Sequence, residues 1–557
     1  MTGADLLVHS LYAAGVRVIF GMPGSHTVAI YDAIERHSGI RTILIRNEQA
    51  GAFAADGYAR VTGQPGVICT TAGPGATNAL TGIGEAWADS VPVLLIAGQV
   101  NHDRLHQECG NYHEIDLESI LRPCTKYVGT VMDNQQIPAM VAQAFHAMTV
   151  GRPRPAALVL PQDLMAASFS PLPPGEGPGV RVLDSGNDLE RIVGLLPNPL
   201  TPGPSPGGRG ACTKAAALLA QAKKPILLAG GGAVWANAGP ELRQLAERLN
   251  CPVITSLNAK GILDERDPLS LGHARSAKGK AATTHADAML AVGCRFTEVM
   301  TGFRKLPVPA RLIQIDINPG EIGMNHPAEI GIVADAKEAL QAILAALPAT
   351  TASDWSDIWP TARSAKLATS EWLIDTLRAE LPDDAVVFTD ASEMAYRMHT
   401  DYPAYMPRSF FYPSNYIALG WGFPGAVGAA CGLALGADPA IAKPQAALVV
   451  SFSGDGGFVM TCQELATAAR YQLRMIIIVH NDNAYGAIKH LQRLKFEERY
   501  RDTELNNPDF LELAHAFGIP ARRVEGAASF ADALREALDQ RGPFLIEVPD
   551  QWRYLRH

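Results

Sequence analysis

Residues 446–486 read AALVVSFSGDGGFVMTCQELATAARYQLRMIIIVHNDNAYG, and this stretch decides the fold. One apolar run ends at Ser453, and Gly454-Asp455-Gly456-Gly457 turns the chain into a helical pattern. A second run, 475–479, stops at Asn481-Asp482-Asn483. Short apolar runs separated by a helix-length segment read as one βαβ unit with buried parallel strands. Such a unit brings both polar clusters to the carboxyl ends of neighbouring strands, where open α/β sheets bind ligands. Glycines admit the backbone close to phosphate oxygens, and a helix N-terminus offers free N–H groups and a positive dipole end. Asp455 and Asp482 add the hard oxygens that suit Mg²⁺. GDGG by itself would read as a capped turn; the Asn/Asp cluster at the next strand's end makes it a ligand site.

The same grammar extends outward in both directions. Toward the N-terminus, strand-like runs at 16–20, 42–45, 67–70, 92–97 and 157–160 alternate with helical patterns at 49–61 and 76–88. Between the two ends, a run at 225–229 leads into Gly230-Gly231-Gly232 and a helix. Further runs at 386–389, 447–452 and 544–548 complete the C-terminal set. The expectation is an α/β protein of three doubly wound parallel-sheet domains, at 1–165, 213–345 and 366–557. Residues 166–212 form a linker insertion whose arms, PLPPGEGPGV and PLTPGPSPGGRG, hold too much Pro and Gly to pack.

Composition agrees. The 557 residues exceed one ordinary core and suggest roughly three or four domains. With 47% apolar and 18% charged residues, 51 Gly and 39 Pro, wholesale disorder and a coiled coil are excluded. A formal net charge of −9 speaks against nucleic-acid or anionic-membrane partners. Eight scattered cysteines show no C-x-x-C or zinc spacing, which points to a reducing cytoplasm. The N-terminus, MTGADLLVHSLYAAG, reads as an amphipathic helix, not a secretory signal. Residues 409–437 carry no charge, but Pro413, Asn415, Pro424 and six glycines in GWGFPGAVGAACGLALG indicate a tightly packed internal helix and not a membrane span.

Gly454-Asp455-Gly456 followed by Asn481-Asp482-Asn483 resembles the cofactor signature of thiamine-diphosphate enzymes of the acetolactate synthase, pyruvate oxidase and pyruvate decarboxylase superfamily. FGMPGS (20–25), RNEQAGAFAADGYARVTG (46–63) and TTAGPGATNALTGIGEAWADSVPVLLIAGQ (70–99) resemble its pyrimidine-binding domain. LNAKGILDERDPLSLG (257–272) and RLIQIDINP (311–319) resemble its central domain.

The resemblance implies thiamine diphosphate and Mg²⁺, with Asp455, Asp482 and the Ala484 carbonyl on the metal. Asp482 stands where the family usually has asparagine. It implies Glu48 as the carboxylate that hydrogen-bonds the pyrimidine ring, and Leu419 as the apolar wedge that bends the cofactor. Cofactor contacts fall on Pro23, Gly24, Gly75, Asn78, Ala391, Ser392, Gly454, Gly456, Gly457 and Tyr485. Glu393 and Met394 depart from the Gln-His pair common in synthases. Two chains are implied, Glu48 of one serving Asp455 of the other, as a homodimer at minimum and a homotetramer by expectation.

Ser25, His26, Thr71 and His113 resemble pocket liners that act in catalysis. A histidine at the His26 place is similar to benzaldehyde lyase, and two imidazoles supply proton donors at neutral pH. Synthases carry an arginine for the second 2-oxo acid's carboxylate where this chain has Val299, and a tryptophan where it has Leu491. The expected activity is C–C cleavage or formation on 2-oxo acids through a C2 ylide and an acyl-anion intermediate, passed to a proton or an aldehyde. An acyloin lyase is the alternative, and a non-catalytic thiamine-diphosphate-binding paralogue a rival of another class. Gly230-Gly231-Gly232 lacks the dinucleotide spacing G-x-G-x-x-G, so FAD is possible without a catalytic part. A Rossmann oxidoreductase lacks its fingerprint altogether.

Overall fold

The computed structural model describes residues 1–37, 39–107, 110–168, 206–360, 372–435 and 448–549. They build three six-stranded sheets, parallel throughout. The first contains β1 (Val18–Gly21), β2 (Arg41–Leu44), β3 (Gly66–Thr70), β4 (Val93–Gln99), β5 (Tyr127–Thr130) and β6 (Ala156–Pro161). The second contains β7 (Pro225–Ala229), β8 (Val253–Thr255), β9 (Ser270–His273), β10 (Ala288–Val292), β11 (Arg311–Asp316) and β12 (Ile330–Val333). The third contains β13 (Val386–Thr389), β14 (Phe410–Phe411), β15 (Val449–Gly454), β16 (Met475–Asn481), β17 (Ala521–Arg523) and β18 (Phe544–Pro549). The expected strands lie within two residues of the observed ones at either end. Central strands such as β3, β4, β7, β10 and β13 are buried along their whole length, as sheets covered on both faces require.

The first and third sheets share one strand order, β2-β1-β3-β4-β6-β5 and β14-β13-β15-β16-β18-β17. Strand order therefore reverses beside β1 and β3 in one, and beside β13 and β15 in the other. These are the crevices where doubly wound sheets take ligands. The second sheet, β12-β11-β10-β7-β8-β9, reverses between β7 and β10.

The chain divides into two compact units. One is residues 1–200, 418–446 and 459–474; the other is 201–417, 447–458 and 475–557. In the first unit, helix Glu48–Thr62 packs against helix Gly422–Leu435 through glycine and alanine. A Cβ on Gly57 would lie 2.0 Å from the Gly425 carbonyl oxygen, and one on Gly428 would lie 1.8 Å from that of Ala54.

Some boundaries differ from the sequence reading. Helix Pro206–Gln221 begins inside the expected linker, because proline is tolerated in a helix's first turn, and Cys212 is buried in the core. Most of the insertion, 169–205, lies outside the described residues. The central core extends past 345 to Trp355, which is 1% exposed and donates through Nε1 to the Pro225 carbonyl at 3.0 Å. The uncharged run 409–437 divides into β14, a loop and helix Gly422–Leu435. Among the described residues no helix is long and apolar enough to cross a membrane.

Candidate active site

At the reversal point of the first sheet, the loops after β1 and β3 meet. A Cβ on Gly24 would lie 2.5 Å from Thr71 Cβ, so this close approach requires glycine. His26 is 3% exposed, and its Nδ1 lies 3.2 Å from both Ser25 Oγ and Thr71 Oγ1. Its ring centroid is 5.5 Å from that of His113, whose backbone takes φ +67° and whose buried Nδ1 has no hydrogen-bond partner among the described residues. Burial, and next the neighbouring His113, lower the pKa of His26, while a bond with the Tyr112 backbone opposes them. Neutral imidazole is therefore its resting form at pH 7. Tyr112, which the sequence reading passed over, stacks on His113 at 3.8 Å and lies over His26 at 5.7 Å.

Glu48 opens helix Glu48–Thr62 behind the cap Asn47, whose side chain accepts from Gln49 N–H at 2.8 Å. Its carboxylate is 4% exposed and accepts from Asn78 Nδ2 at 3.1 Å. A Cβ on Gly75 would lie 3.4 Å from Glu48 Oε1 and 2.8 Å from Thr71 Cγ2. Thus Ser25, His26, Thr71 and His113 form one cluster, and Thr71 and Gly75 join it to Glu48 and Asn78. Pro23 stands exposed at its rim. Glu464, not singled out from sequence, is 1% exposed and accepts from Arg46 N–H at 2.9 Å, fixing the turn that precedes Glu48. Burial raises the Glu464 pKa.

Leu419 belongs to the same unit. Its neighbours Ala418, Gly420 and Trp421 are buried, whereas Leu419 is partly exposed. Ile417 at φ +60° and Gly420 at φ +88° bracket Ala418 and Leu419 with left-handed backbone.

At the reversal point of the third sheet, β15 continues to Gly454 and the helix begins at Asp455 with no intervening turn. Gly454 faces Ser392, the cap of helix Glu393–Asp401, with a would-be Cβ 3.1 Å from Ser392 Cβ. Ala391 donates its N–H to the buried Asp390 at 2.7 Å. Asp455 is 2% exposed, and burial raises its carboxyl pKa against a hydrogen bond from Asn507 and an interaction with Asp482. Asn507 Nδ2 lies 2.6 Å from Asp455 Oδ2, 3.1 Å from Asn481 Oδ1 and 3.3 Å from Asn483 Oδ1. Asp482 Oδ1 accepts from Ala484 N–H at 3.1 Å, while the Ala484 carbonyl accepts no hydrogen bond among the described residues. Gly456 is required beside Tyr485, where a Cβ would meet the ring at 2.6 Å. Gly457 follows in the same first helical turn.

Two carboxylates, one free carbonyl and glycines beneath a helix N-terminus fit a hard divalent ion carrying a diphosphate. Asn507 was not legible from sequence, because its contact spans 52 residues.

A second polar cluster of this unit lies around helix Glu393–Asp401. Lys260, with a wholly buried side chain, pairs with Glu265 at 3.0 Å. His399 packs edge-on against Tyr412 at 4.1 Å, its buried Nε2 without a partner among the described residues. Burial, reinforced by Arg275 and Lys260, pushes the His399 pKa down to about 3. Arg275 donates through Nη1 to the Val299 carbonyl at 2.9 Å, and among the described residues no carboxylate pairs with it. Leu491 is exposed on helix Gly486–Lys495. In the second sheet, Gly230 and Gly232 pack on Gly293, with would-be Cβ distances of 2.1 Å to its oxygen and 2.8 Å to its Cα. That contact alone accounts for their being glycine.

The thiamine pyrophosphate enzyme N-terminal TPP binding domain matches residues 1–120, the central domain 212–343 and the C-terminal TPP binding domain 390–548. A probable acetolactate synthase large subunit of Methanocaldococcus jannaschii is 34% identical over 98% of this chain and 92% of its own. A probable 2-ketoarginine decarboxylase of Pseudomonas aeruginosa is 34% identical over 98% and 94%. The large subunit of acetolactate synthase isozyme 2 of Escherichia coli is 33% identical over 98% and 95%.

Proposed function

The chain belongs to the thiamine pyrophosphate enzymes of acetolactate synthase large-subunit type, and from that premise we propose a thiamine-diphosphate- and Mg²⁺-dependent decarboxylase and carboligase of 2-oxo acids. The observation that carries this reading is the pair Asp455 and Asp482 at the carboxyl ends of β15 and β16, beside the free Ala484 carbonyl. These three would hold the metal, and Gly454, Gly456, Gly457, Ala391 and Ser392 would admit the diphosphate. Thiamine diphosphate held there would supply a thiazolium carbon nucleophilic toward a 2-oxo acid carbonyl and an electron sink for decarboxylation. Glu48, whose carboxylate is held by Asn78, would hold or release a proton toward the pyrimidine ring, and Leu419 would supply the apolar side chain against which the cofactor bends.

His26, neutral at pH 7 and held by Thr71 and Ser25, accepts or delivers the proton of the substrate oxygen, with His113 beside it. That favours a proton or an aldehyde as the second reactant. Run in the opposite direction, the same groups cleave an acyloin. A second reading, capture of a second 2-oxo acid, is supported by Arg275, whose guanidinium donates to the Val299 carbonyl and has no carboxylate partner among the described residues. Two copies of the chain form the functional unit, one giving Glu48 and the other Asp455, in a homodimer or homotetramer. The scattered cysteines, with no C-x-x-C or zinc spacing in the sequence, support a reducing cytoplasm. No step is assigned to FAD.

The test is to incubate the protein with thiamine diphosphate, Mg²⁺ and a panel of 2-oxo acids, with and without aldehydes, and identify products by mass. Release of CO₂ with aldehyde or acyloin products supports the main reading, and dominant 2-acetohydroxy acids support the second. Turnover of none, with cofactor bound, favours a non-catalytic paralogue.

A further inference from the structure

A buried ionic network bonds to Ala418 and Trp421 on either side of Leu419, and the proposed reaction gives it no part. Asp56, Glu85 and Asp89 are 0, 0 and 5% exposed, and Arg60 is 5% exposed. Arg60 Nε donates to Asp56 Oδ1 at 2.6 Å, and Nη2 to Asp89 Oδ2 at 3.1 Å. Asp56 Oδ1 also accepts from Trp421 Nε1 at 2.9 Å, and the guanidinium lies 4.9 Å from the Trp421 ring. Glu85 Oε2 accepts from the Ala418 backbone N–H at 2.9 Å, while its buried Oε1 has no partner among the described residues. Gly420 O accepts from Thr461 Oγ1 at 3.0 Å. Three side chains therefore grip residues 418, 420 and 421, and the residue between them is the partly exposed one.

We propose that Glu85, with Asp56 and Arg60, is a positioning residue for Leu419: the network clamps Ala418 and Trp421 so that the Leu419 side chain projects rigidly toward the cofactor. This rests on the reading of Leu419 given above. The network holds three carboxyl groups and one guanidinium, and it needs none of them as a mobile base. Burial, and next the charge of Asp89, raise the Glu85 pKa well above the ordinary carboxylate value. A neutral carboxyl still accepts the Ala418 N–H through its carbonyl oxygen, so glutamine would serve at this position. A leucine would leave that N–H buried and unpaired.

The experiment compares Glu85→Leu, Glu85→Gln, Trp421→Phe and Leu419→Ala in the thiamine-diphosphate-loaded enzyme. Amide hydrogen exchange of the peptide covering 417–421 should accelerate in Glu85→Leu by about tenfold or more, the scale of an unpaired buried N–H. Glu85→Gln should restore it, and Trp421→Phe, losing one donor only, should fall between. C2 proton exchange of the bound cofactor should slow in Glu85→Leu and Leu419→Ala alike, with little change in cofactor affinity. The double variant should be no slower than either single one. Unchanged amide protection at 417–421 in Glu85→Leu overturns the clamp. Additive slowing in the double variant overturns the route through Leu419. Normal C2 exchange in Leu419→Ala refutes the underlying reading of Leu419, while the amide result still decides whether Glu85 clamps the loop.

Discussion

Replacing His399 with phenylalanine should flatten the acid side of the protein's stability profile. His399 is buried against Tyr412, with Lys260, Arg275, His273 and Tyr396 around it and an Nε2 that has no partner among the described residues. Its pKa is depressed to about 3 in the folded chain from the ordinary histidine value of 6.5. Between those values the unfolded chain binds a proton that the folded chain does not, so stability falls as pH falls. Taking 1.36 kcal/mol per pH unit, His399 costs little at pH 7 and about 2 kcal/mol by pH 5. That is a sizeable part of the roughly 5–15 kcal/mol that holds a domain folded. Phenylalanine keeps the ring against Tyr412 and removes the unpaired nitrogen. Urea unfolding of both proteins at pH 7 and pH 5, at equal cofactor saturation, should show the variant losing about 2 kcal/mol less over that interval. The buried carboxyls Glu85, Glu464 and Asp455 have raised values and act with the opposite sign, but they are common to both proteins and cancel in the difference. Parallel pH profiles would refute the assignment of a neutral, desolvated imidazole.

Asp455→Ala should abolish retention of thiamine diphosphate and Mg²⁺, read by equilibrium dialysis; full retention after exhaustive chelation would remove Asp455 from the metal. Glu48→Gln should leave fold and assembly intact but slow C2 deuterium exchange of the cofactor by orders of magnitude, measured by acid quench and NMR. His26→Ala should depress aldehyde ligation more than cofactor binding, and equal losses in both would count against a proton role. Arg275→Met should raise the KM for a 2-oxo acid acceptor by about tenfold or more and spare an aldehyde acceptor, if one charge-assisted contact of about 1.5–3 kcal/mol is at stake. No change with either acceptor would leave the neutral-acceptor reading alone.

The parts of this architecture that rest on short-range signals were legible in the residues. GDGG and the Asn/Asp cluster lie on one βαβ unit, so their spacing along the chain predicts their neighbourhood in space. Glu48 and Leu419 were reached only through the resemblance, since on periodicity each is an ordinary helix or core residue. Asn507, Glu464, Tyr112 and the Glu85 network were missed for a different reason. Each acts through a contact distant in sequence or through a backbone N–H, and neither leaves a pattern in composition or periodicity. Val299 shows the converse limit: reading its position alone indicates a lost cation, yet Arg275 reaches its carbonyl from 24 residues away. Short edge strands such as β14 and β17 carry too few residues to announce themselves.

The glycine contacts between helices Glu48–Thr62 and Gly422–Leu435 bear on how this chain can change through time. At Gly57 and Gly428 the clash of an added Cβ is with main-chain atoms of the opposite helix, which no choice of rotamer can relieve. Every missense change of a glycine codon adds at least that one carbon. Neither site can therefore drift by single steps while the helices keep their spacing, and no smaller partner exists to evolve as compensation. In a library of random variants these two positions should read as invariant, although they bind nothing and move no proton. Their constancy would record the distance between two helix axes, one opening at Glu48 and the other three residues beyond Leu419.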